Sequence, residues 1–386
     1  MPFDIETYLN SLPNDTTEIN VSDKSLTYLP DLFRFKNLTH LLCSKNKLTV
    51  LPPLNEKLIF LECSRNKLTS LPYLNENLKI LYCYENQLTS LPPFNENLTK
   101  LSCSYNQLTS LPYLNKKLEH LECISNKLTF LPQLNEDLKK LYCDNNQLTS
   151  LPHLNKNLTH IWCYRNKLTS LPPLNENLTK LWCNYNQLIF LPPLNKNLKD
   201  LSCCKNQLTF LPPLNENLKQ LLCYENKLTS LPPLNEKLEY LLCYENQLTS
   251  LPPFNKNLIE LSCSKNQLTS LPSLNENLIK LWCSHNQLTC LPSFNEHFEE
   301  LECYKNPIYN NVLLLIDPIL DKQKLFMLIN KINKFRNLYY HLKFKKNFIK
   351  WLWKSREKQI VEKYHPKYLL ENLEENTDLD DFLNNW

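Results

Sequence analysis

Residues 38–57 read LTHLLCSKNKLTVLPPLNEK, and residues 58–77 read LIFLECSRNKLTSLPYLNEN. Both segments follow the pattern LxxLxCxxNxLTxLPxLNxx, which recurs every 20 residues in fourteen copies that extend to Asn306. A degenerate copy of 22 residues precedes them at Thr16–Asn37, where Val21 takes the place of the cysteine. A strict period of this length predicts a solenoid in which each repeat is one structural unit.

The alternation inside each repeat predicts a short strand. Leu41 and Cys43 alternate with Leu42 and Ser44, so one pair faces a core and the other faces solvent. A single repeat is not stable alone, because about six buried side chains contribute roughly 2 kcal/mol each while every ordered residue costs about 1–2 kcal/mol. Stacked repeats cover one another's apolar faces, so we expect one parallel sheet along the array. The LP pair predicts an extended return arm too short for a helix.

The repeat resembles the leucine-rich repeat, specifically the 20-residue type of bacterial effector proteins, in which LPxLP stands where this chain has LPxLN. The resemblance implies an α/β solenoid dominated by β structure: a curved horseshoe with short parallel strands on its concave face, a thin polyproline-like convex side and a helical C-terminal cap. The segment FKKNFIKWLW at 344–353 and the composition rich in Asn and Lys also resemble leucine-rich repeat proteins of giant DNA viruses (mimivirus-like).

Three segments follow from the pattern: an N-terminal cap segment at 1–15, the solenoid of about fifteen repeats at 16–308, and a helical tail at 309–386. The tail is first basic and then acidic, with 14 basic and 4 acidic residues in 317–367 and 6 acidic residues after them. We expect the tail to cap the last repeat. The weaker alternative is contact of its basic helix with a membrane surface or a polyanion.

One asparagine per repeat is expected to have a structural role. Its amide can satisfy backbone groups in the turn of its own and the adjacent repeat, and asparagine tolerates a left-handed backbone. A second asparagine column, Asn55 to Asn295, is expected to do this on the return arm. The members of the first column are Asn46, Asn66, Asn86, Asn106, Asn126, Asn146, Asn166, Asn186, Asn206, Asn226, Asn246, Asn266, Asn286 and Asn306.

Of sixteen cysteines, fourteen occupy the inward strand position, which predicts buried, reduced thiols rather than a disulfide framework. Cys204 is expected to face outward beside Lys205 as an exposed thiol, and Cys290 is the other extra cysteine. The first residues carry acids and no apolar run, so no signal peptide is expected. We therefore expect an intracellular protein, neither secreted nor transmembrane, located in the host cytoplasm if viral, with packaging in virions as an alternative.

The composition argues against catalysis. The chain has no glycine, which excludes Gly-dependent nucleotide-binding loops and the nucleophile elbow. No CxxC or HExxH pair occurs, so neither a metal nor a cofactor is expected. Effectors with this repeat often carry a ubiquitin ligase with a catalytic cysteine, but the last cysteine here, Cys303, lies inside the array. We predict that the protein is not an enzyme.

The outward strand positions suggest where a partner binds. The position after the second leucine holds every tryptophan of the array, and exposed Trp, Tyr and Arg are typical of binding hot spots. Cross-strand stacking that only stiffens the sheet is the alternative. The predicted partner-binding residues on the concave face are Tyr142, Trp162, Tyr164, Arg165, Trp182 and Tyr185.

These observations predict a non-enzymatic scaffold for protein–protein interaction, from a virus and acting in the host cell, with a protein partner of unknown identity. Residues 1–316 carry equal numbers of basic and acidic side chains, so the array is not expected to bind nucleic acid. We expect a monomer. The alternatives are a structural or virion-associated component, and an adaptor that recruits host ubiquitin machinery without a catalytic cysteine of its own.

Overall fold

The computed structural model describes residues 3–308, 329–331, 333–334, 338–339, 341–351 and 354. Within 3–308, one short helix, α1 (Ile5–Ser11), precedes a sheet of 15 parallel strands in sequence order. The strands are β1 (Glu18–Asn20), β2 (His40–Leu42), β3 (Phe60–Glu62), β4 (Ile80–Tyr82), β5 (Lys100–Ser102), β6 (His120–Glu122), β7 (Lys140–Tyr142), β8 (His160–Trp162), β9 (Lys180–Trp182), β10 (Asp200–Ser202), β11 (Gln220–Leu222), β12 (Tyr240–Leu242), β13 (Glu260–Ser262), β14 (Lys280–Trp282) and β15 (Glu300–Glu302). The predicted parallel solenoid is confirmed.

The sheet has the same register from β2 to β15, and the degenerate first repeat makes the offset between β1 and β2 22 residues. Equivalent residues 20 positions apart lie opposite each other, as Leu41 and Leu61 do, and the central residue of each strand packs inward. The cysteine after the strand is also inward, and Cys43 is fully buried. Its backbone N–H donates to the carbonyl of Glu62 at 2.8 Å, so the hydrogen-bonded ladder continues past the strand. Each repeat thus supplies both apolar cover and backbone partners to the next.

The first asparagine column bridges neighbouring repeats. Asn166 Oδ1 accepts from the backbone N–H of Leu148 at 3.0 Å, and Asn166 Nδ2 donates to the carbonyls of Cys143 and Cys163 at 3.0 and 3.1 Å. The same set recurs along the column, for example at Asn86. These bonds satisfy backbone groups that turn away from the sheet ladder inside the solenoid.

The left-handed backbone lies elsewhere than expected. It is the residue directly before each asparagine that has a positive φ, from Lys45 at 53° to Lys305 at 52°, and not the asparagine itself. This position holds Lys, Arg, Glu, Tyr, Ser, Asn or His, although the left-handed helix region costs an L-residue roughly 1–2 kcal/mol. The bend is retained because it aims the N–H of Arg65 at the carbonyl of Tyr84, at 2.9 Å.

The second asparagine column also shows no positive φ, so the expectation of left-handed residues was wrong there too. Its amides bond instead to the return arm of the preceding repeat. Asn155 Nδ2 donates to the carbonyls of Asn135 and Leu138 at 2.6 and 3.0 Å, and its Oδ1 accepts from the N–H of Asn157 at 2.8 Å. The return arm is therefore held by side-chain bonds where it lacks a backbone ladder.

The chain divides into two units, Met1–Pro318 and Ile319–Trp386. The described residues of the second unit are helical. The acidic end of the predicted tail lies outside the described residues, and the predicted capping role stays a prediction.

Candidate protein-binding face

The outer face of the sheet, opposite the core, carries a continuous stack of rings. The outward residues at the ends of β7, β8 and β9 lie side by side in register. The ring centroids of Tyr142 and Trp162 are 4.4 Å apart, and those of Trp162 and Trp182 are 4.7 Å apart with planes at 6°. We call Tyr142, Trp162 and Trp182 the aromatic ladder. Its geometry follows from the 20-residue period, which stacks equivalent side chains at the strand spacing.

The aromatic ladder is half-buried rather than fully exposed. Stacking covers both faces of Trp162, so its ring edge is the part that faces solvent. The indole N–H of Trp162 is buried and has no acceptor among the described residues. In Trp282, by contrast, the N–H donates to Glu300 Oε1 at 3.0 Å. An unsatisfied buried donor costs roughly 1–3 kcal/mol, so the ladder is not optimised for stability alone.

The other predicted site residues form a second row beside the ladder. Arg165 and Tyr185 occupy the left-handed turn position, and both are exposed. The Arg165 guanidinium lies 5.2 Å from the centroid of the Tyr185 ring, and Lys205 Nζ lies 4.7 Å from it. Cations at this range are attracted to the ring face. Tyr164 is half-buried between the two rows, so the structure brings all six predicted residues onto one surface.

Sequence reasoning missed a buried carboxyl beneath this surface. Asp144 is fully buried, its Oδ1 accepts from the backbone N–H of Tyr164 at 3.0 Å, and its Oδ2 has no partner among the described residues. Desolvation raises the pKa of Asp144 to about 7, although the bond from Tyr164 opposes the shift. The available signal was an acid in a column that mostly holds small or aromatic residues, such as Ser104 and Asn184.

Cys204 does not face solvent, and the prediction of an exposed thiol there was wrong. The side chain is fully buried, and burial raises the pKa of its thiol to about 11. Large side chains at this repeat position, such as Tyr224, stay half-buried on the outer face, whereas the small Cys204 side chain is covered by its neighbours, among them the Ser202 hydroxyl at 3.7 Å. The backbone N–H of Cys204 donates to Asn184 Oδ1 at 3.1 Å. Cys290 is the one described cysteine that is not buried.

A second aromatic pair lies further along the face. The rings of Tyr224 and Tyr244 stack with centroids 4.3 Å apart and planes at 8°, and burial raises the pKa of both phenols. This pair is smaller than the aromatic ladder and is flanked by Glu225 and Glu245 rather than by arginine. It is the surface to test if the aromatic ladder does not bind a partner.

Two features are absent from the described residues. No group of three or more His, Cys, Asp or Glu side chains in them is arranged to hold a metal ion. None of their helices combines the length and apolar character needed to cross a bilayer.

Comparison with known proteins shows similarity to leucine-rich repeats. Residues 136–176 match the family model described as leucine-rich repeats in two copies. The leucine-rich effector YopM of Yersinia pestis is 34% identical, with a TM-score of 0.70, over 75% of this chain and 84% of its own. A leucine-rich repeat protein of Leptospira interrogans is 29% identical, with a TM-score of 0.67, over 79% of this chain and 93% of its own.

A third similar solved structure also contains a ladder of cysteines. The functional domain of InlJ from Listeria monocytogenes, which includes a cysteine ladder, is 28% identical with a TM-score of 0.65, over 76% of this chain and 68% of its own. Among curated proteins, no significant match is found. The buried column from Cys43 to Cys303 is this chain's own ladder of cysteines.

Proposed function

The chain belongs to the leucine-rich repeat family, and from this premise we propose that it binds a protein partner through the aromatic ladder on the outer face of its sheet. Leucine-rich repeat proteins typically act as scaffolds for protein–protein interaction. The observation that carries the proposal is the stack of Tyr142, Trp162 and Trp182 beside the exposed pair Arg165 and Tyr185. Aromatic and arginine side chains in one cluster are the usual composition of a hot spot.

Stabilisation of the sheet alone is the competing explanation for the ladder. Stacked rings across strands do contribute to stability. Two features support a binding role beside it. The N–H of Trp162 has no acceptor among the described residues. Arg165 and Tyr185 are exposed at the left-handed turn position, where another repeat carries the small polar residue Ser125. Exposed aromatic side chains next to a half-buried ring stack favour contact with another protein.

The experiment is selection of ligands from a displayed library of random peptides on the immobilised full chain. Binders are then measured against Trp162→Ala and Trp182→Ala. The matched control is Tyr73→Ala with Tyr113→Ala, which removes two aromatic rings that are 75% and 89% exposed on the return arm. Hot-spot truncation costs about 2 kcal/mol or more, so each tryptophan variant should weaken binding by about thirtyfold or more. Binders that are weakened equally by the control pair would contradict the proposal.

The cellular setting is a separate part of the proposal. The Asn- and Lys-rich composition and the tail at 344–353 support a viral protein that acts in an infected host cell, and the unpaired state of the cysteines supports a reducing compartment. The YopM protein of Yersinia is an effector, which supports action on a host protein. Immunoblotting of fractionated infected cells and of purified virus particles tests this setting. Recovery from particles alone would favour a virion component.

A further inference from the structure

A row of basic side chains runs beside the aromatic ladder. The first residues of β5 to β9 lie opposite one another in register. They alternate between lysine and histidine without an acid among them, and the row ends at Ile80 on one side and Asp200 on the other. We call it the basic ladder, and its members are Lys100, His120, Lys140, His160 and Lys180.

The acids around the basic ladder form no ion pair with Lys100 or Lys140 among the described residues. Glu119 pairs with Lys139 at 2.9 Å. Glu122 Oε2 accepts from the Ser102 hydroxyl at 2.9 Å, and its charge also acts on His120. Asp200 pairs with Lys180 at 2.9 Å, which removes that lysine from the available charge. Within the described chain, no carboxylate pairs with Lys100 or Lys140. These two ammonium groups therefore remain available to an anionic ligand.

Burial and the neighbouring lysines lower the pKa values of the two histidines in the basic ladder. Burial, and then the charges of Lys140 and Lys100, lower the pKa of His120, against the opposing effect of Glu119 and Glu122. His160 likewise has a lowered pKa, from burial and then from Lys140 and Lys180. Both imidazoles are therefore expected to be neutral near pH 7, and the positive potential at this surface comes from the lysines.

We propose that the basic ladder and the aromatic ladder together bind an extended acidic peptide segment of the partner, with carboxylates on Lys100 and Lys140 and apolar side chains on the ring edges of Tyr142, Trp162 and Trp182. Lys100 and Lys140 are two repeats apart, which is about 9.6 Å at the spacing of neighbouring strands. In a polyproline-like peptide, side chains three residues apart share one side at about 9.3 Å. Acids at every third position therefore match the two lysines.

A single-stranded nucleic acid fits this surface less well. Bases bind proteins by stacking on open ring faces. Both faces of Trp162 are covered, at 4.4 Å by Tyr142 and at 4.7 Å by Trp182, so the central ring of the ladder offers only its edge. Ring edges suit the aliphatic side chains of a peptide.

This inference rests on the proposed function, and its test separates the two. The probe is a fluorescent peptide of five Glu-Pro-Leu copies, titrated into the full chain and followed by anisotropy, with Gln-Pro-Leu copies as the uncharged control. We expect the double variant Lys100→Gln with Lys140→Gln to bind the acidic peptide about tenfold more weakly than the wild type. The matched control, Lys116→Gln with Lys156→Gln, makes the same charge change at exposed positions on the return arm and should change affinity less than twofold.

Three results would overturn the inference. They are equal affinity for the two peptides, equal loss in the two lysine pairs, or tighter binding of an oligothymidine probe that competes with the peptide. If library-selected binders still depend on Trp162 and Trp182 but carry no acids and ignore Lys100 and Lys140, the proposed function stands and the acidic-peptide inference fails. If no binder depends on the tryptophans, the proposed function fails first.

Discussion

The indole rings of Trp162 and Trp182 stack with their centroids 4.7 Å apart and their planes at 6°, close to the spacing of the strands that carry them. The contact joins two repeats on the side of the sheet that faces away from the core. It therefore couples the stability of the array to the surface that we propose binds a partner.

This coupling can be measured with a double-mutant cycle. Trp162→Leu, Trp182→Leu and the double variant remove the ring contact while keeping apolar volume. We expect the free energies of unfolding in urea to show a coupling of about 0.5–1.5 kcal/mol, the usual value of an aromatic pair. The pair Trp162 and Trp282, whose rings are not neighbours in the stack, should give additive effects. Additivity for Trp162 and Trp182 as well would mean that their stacking does not contribute to stability.

The asparagine column gives a second prediction. Asn166→Asp preserves shape but loses the two donations to the carbonyls of Cys143 and Cys163. A buried unsatisfied group costs about 1–3 kcal/mol, and the new charge adds to this, so we expect a clear fall in the denaturation midpoint at pH 7. Gln133→Glu, at an exposed position on the return arm, is the control and should change stability by less than about 0.5 kcal/mol. Equal effects at the two positions would contradict the structural role of the column.

Asp144 predicts a dependence of stability on pH. Its folded pKa of about 7 is raised from 3.8, so the folded state binds the proton more tightly than the unfolded state does. Stability should therefore fall as the pH rises from about 4 through about 7, by roughly 2–3 kcal/mol between pH 5 and pH 8. Asp144→Asn should be more stable than the wild type at pH 8 and should lack this slope.

The converse of this prediction can be tested at Asn184, which occupies the same repeat position as Asp144. Asn184 Oδ1 accepts from the N–H of Cys204 at 3.1 Å, the bond that Asp144 makes to Tyr164 at 3.0 Å. Asn184→Asp should therefore introduce a loss of stability as the pH rises from about 4 towards neutral, smaller than that at Asp144 because position 184 is only half-buried. The measurement is the thermal unfolding midpoint of the wild type, Asp144→Asn and Asn184→Asp between pH 5 and pH 8. If the midpoints of all three proteins depend on pH in the same way, Asp144 is solvated in the folded state.

The cysteines provide a chemical test of burial. In the native protein we expect Cys290 to react with iodoacetamide and the other fifteen thiols to resist, because burial holds their pKa values above the ordinary range and excludes the reagent. In denaturant without reductant all sixteen should react, as counted by mass spectrometry. Cys290→Ser should abolish the native reaction. Rapid native labelling of Cys204 would show that its repeat opens.

The 20-residue period was sufficient to predict the strands and their register, because Leu41, Cys43 and their equivalents must all reach one core. It was insufficient for the turn. The residue at the left-handed position differs from repeat to repeat, as Lys45 and Tyr105 illustrate. It is never glycine, and no single residue type identifies it in the sequence. The position after the cysteine holds half-buried rings such as Tyr224 as well as fully buried small side chains, so strand alternation does not determine burial there, which is why the burial of Asp144 and Cys204 was not predicted.

The candidate surface was predictable in part for the same reason. Identical spacing places Trp162 beside Trp182, so their proximity follows from sequence alone. How far the rings cover each other depends on side-chain rotamers, which the period does not determine. The basic ladder was missed because the net charge of the array is close to zero and says nothing of how charges are distributed over its two faces.

The most direct test of partner binding at the aromatic ladder is site-specific photocrosslinking in the full chain. A benzoylphenylalanine at Tyr185, which is 39% exposed beside the ladder, is compared with one at Tyr113 on the return arm, which is 89% exposed. The probe is the tightest peptide obtained by library selection, and crosslinked product is quantified after irradiation. If the partner binds at the aromatic ladder, crosslinks form from position 185 and none above background form from position 113. Crosslinks from position 113 alone, or equally from both, would contradict it.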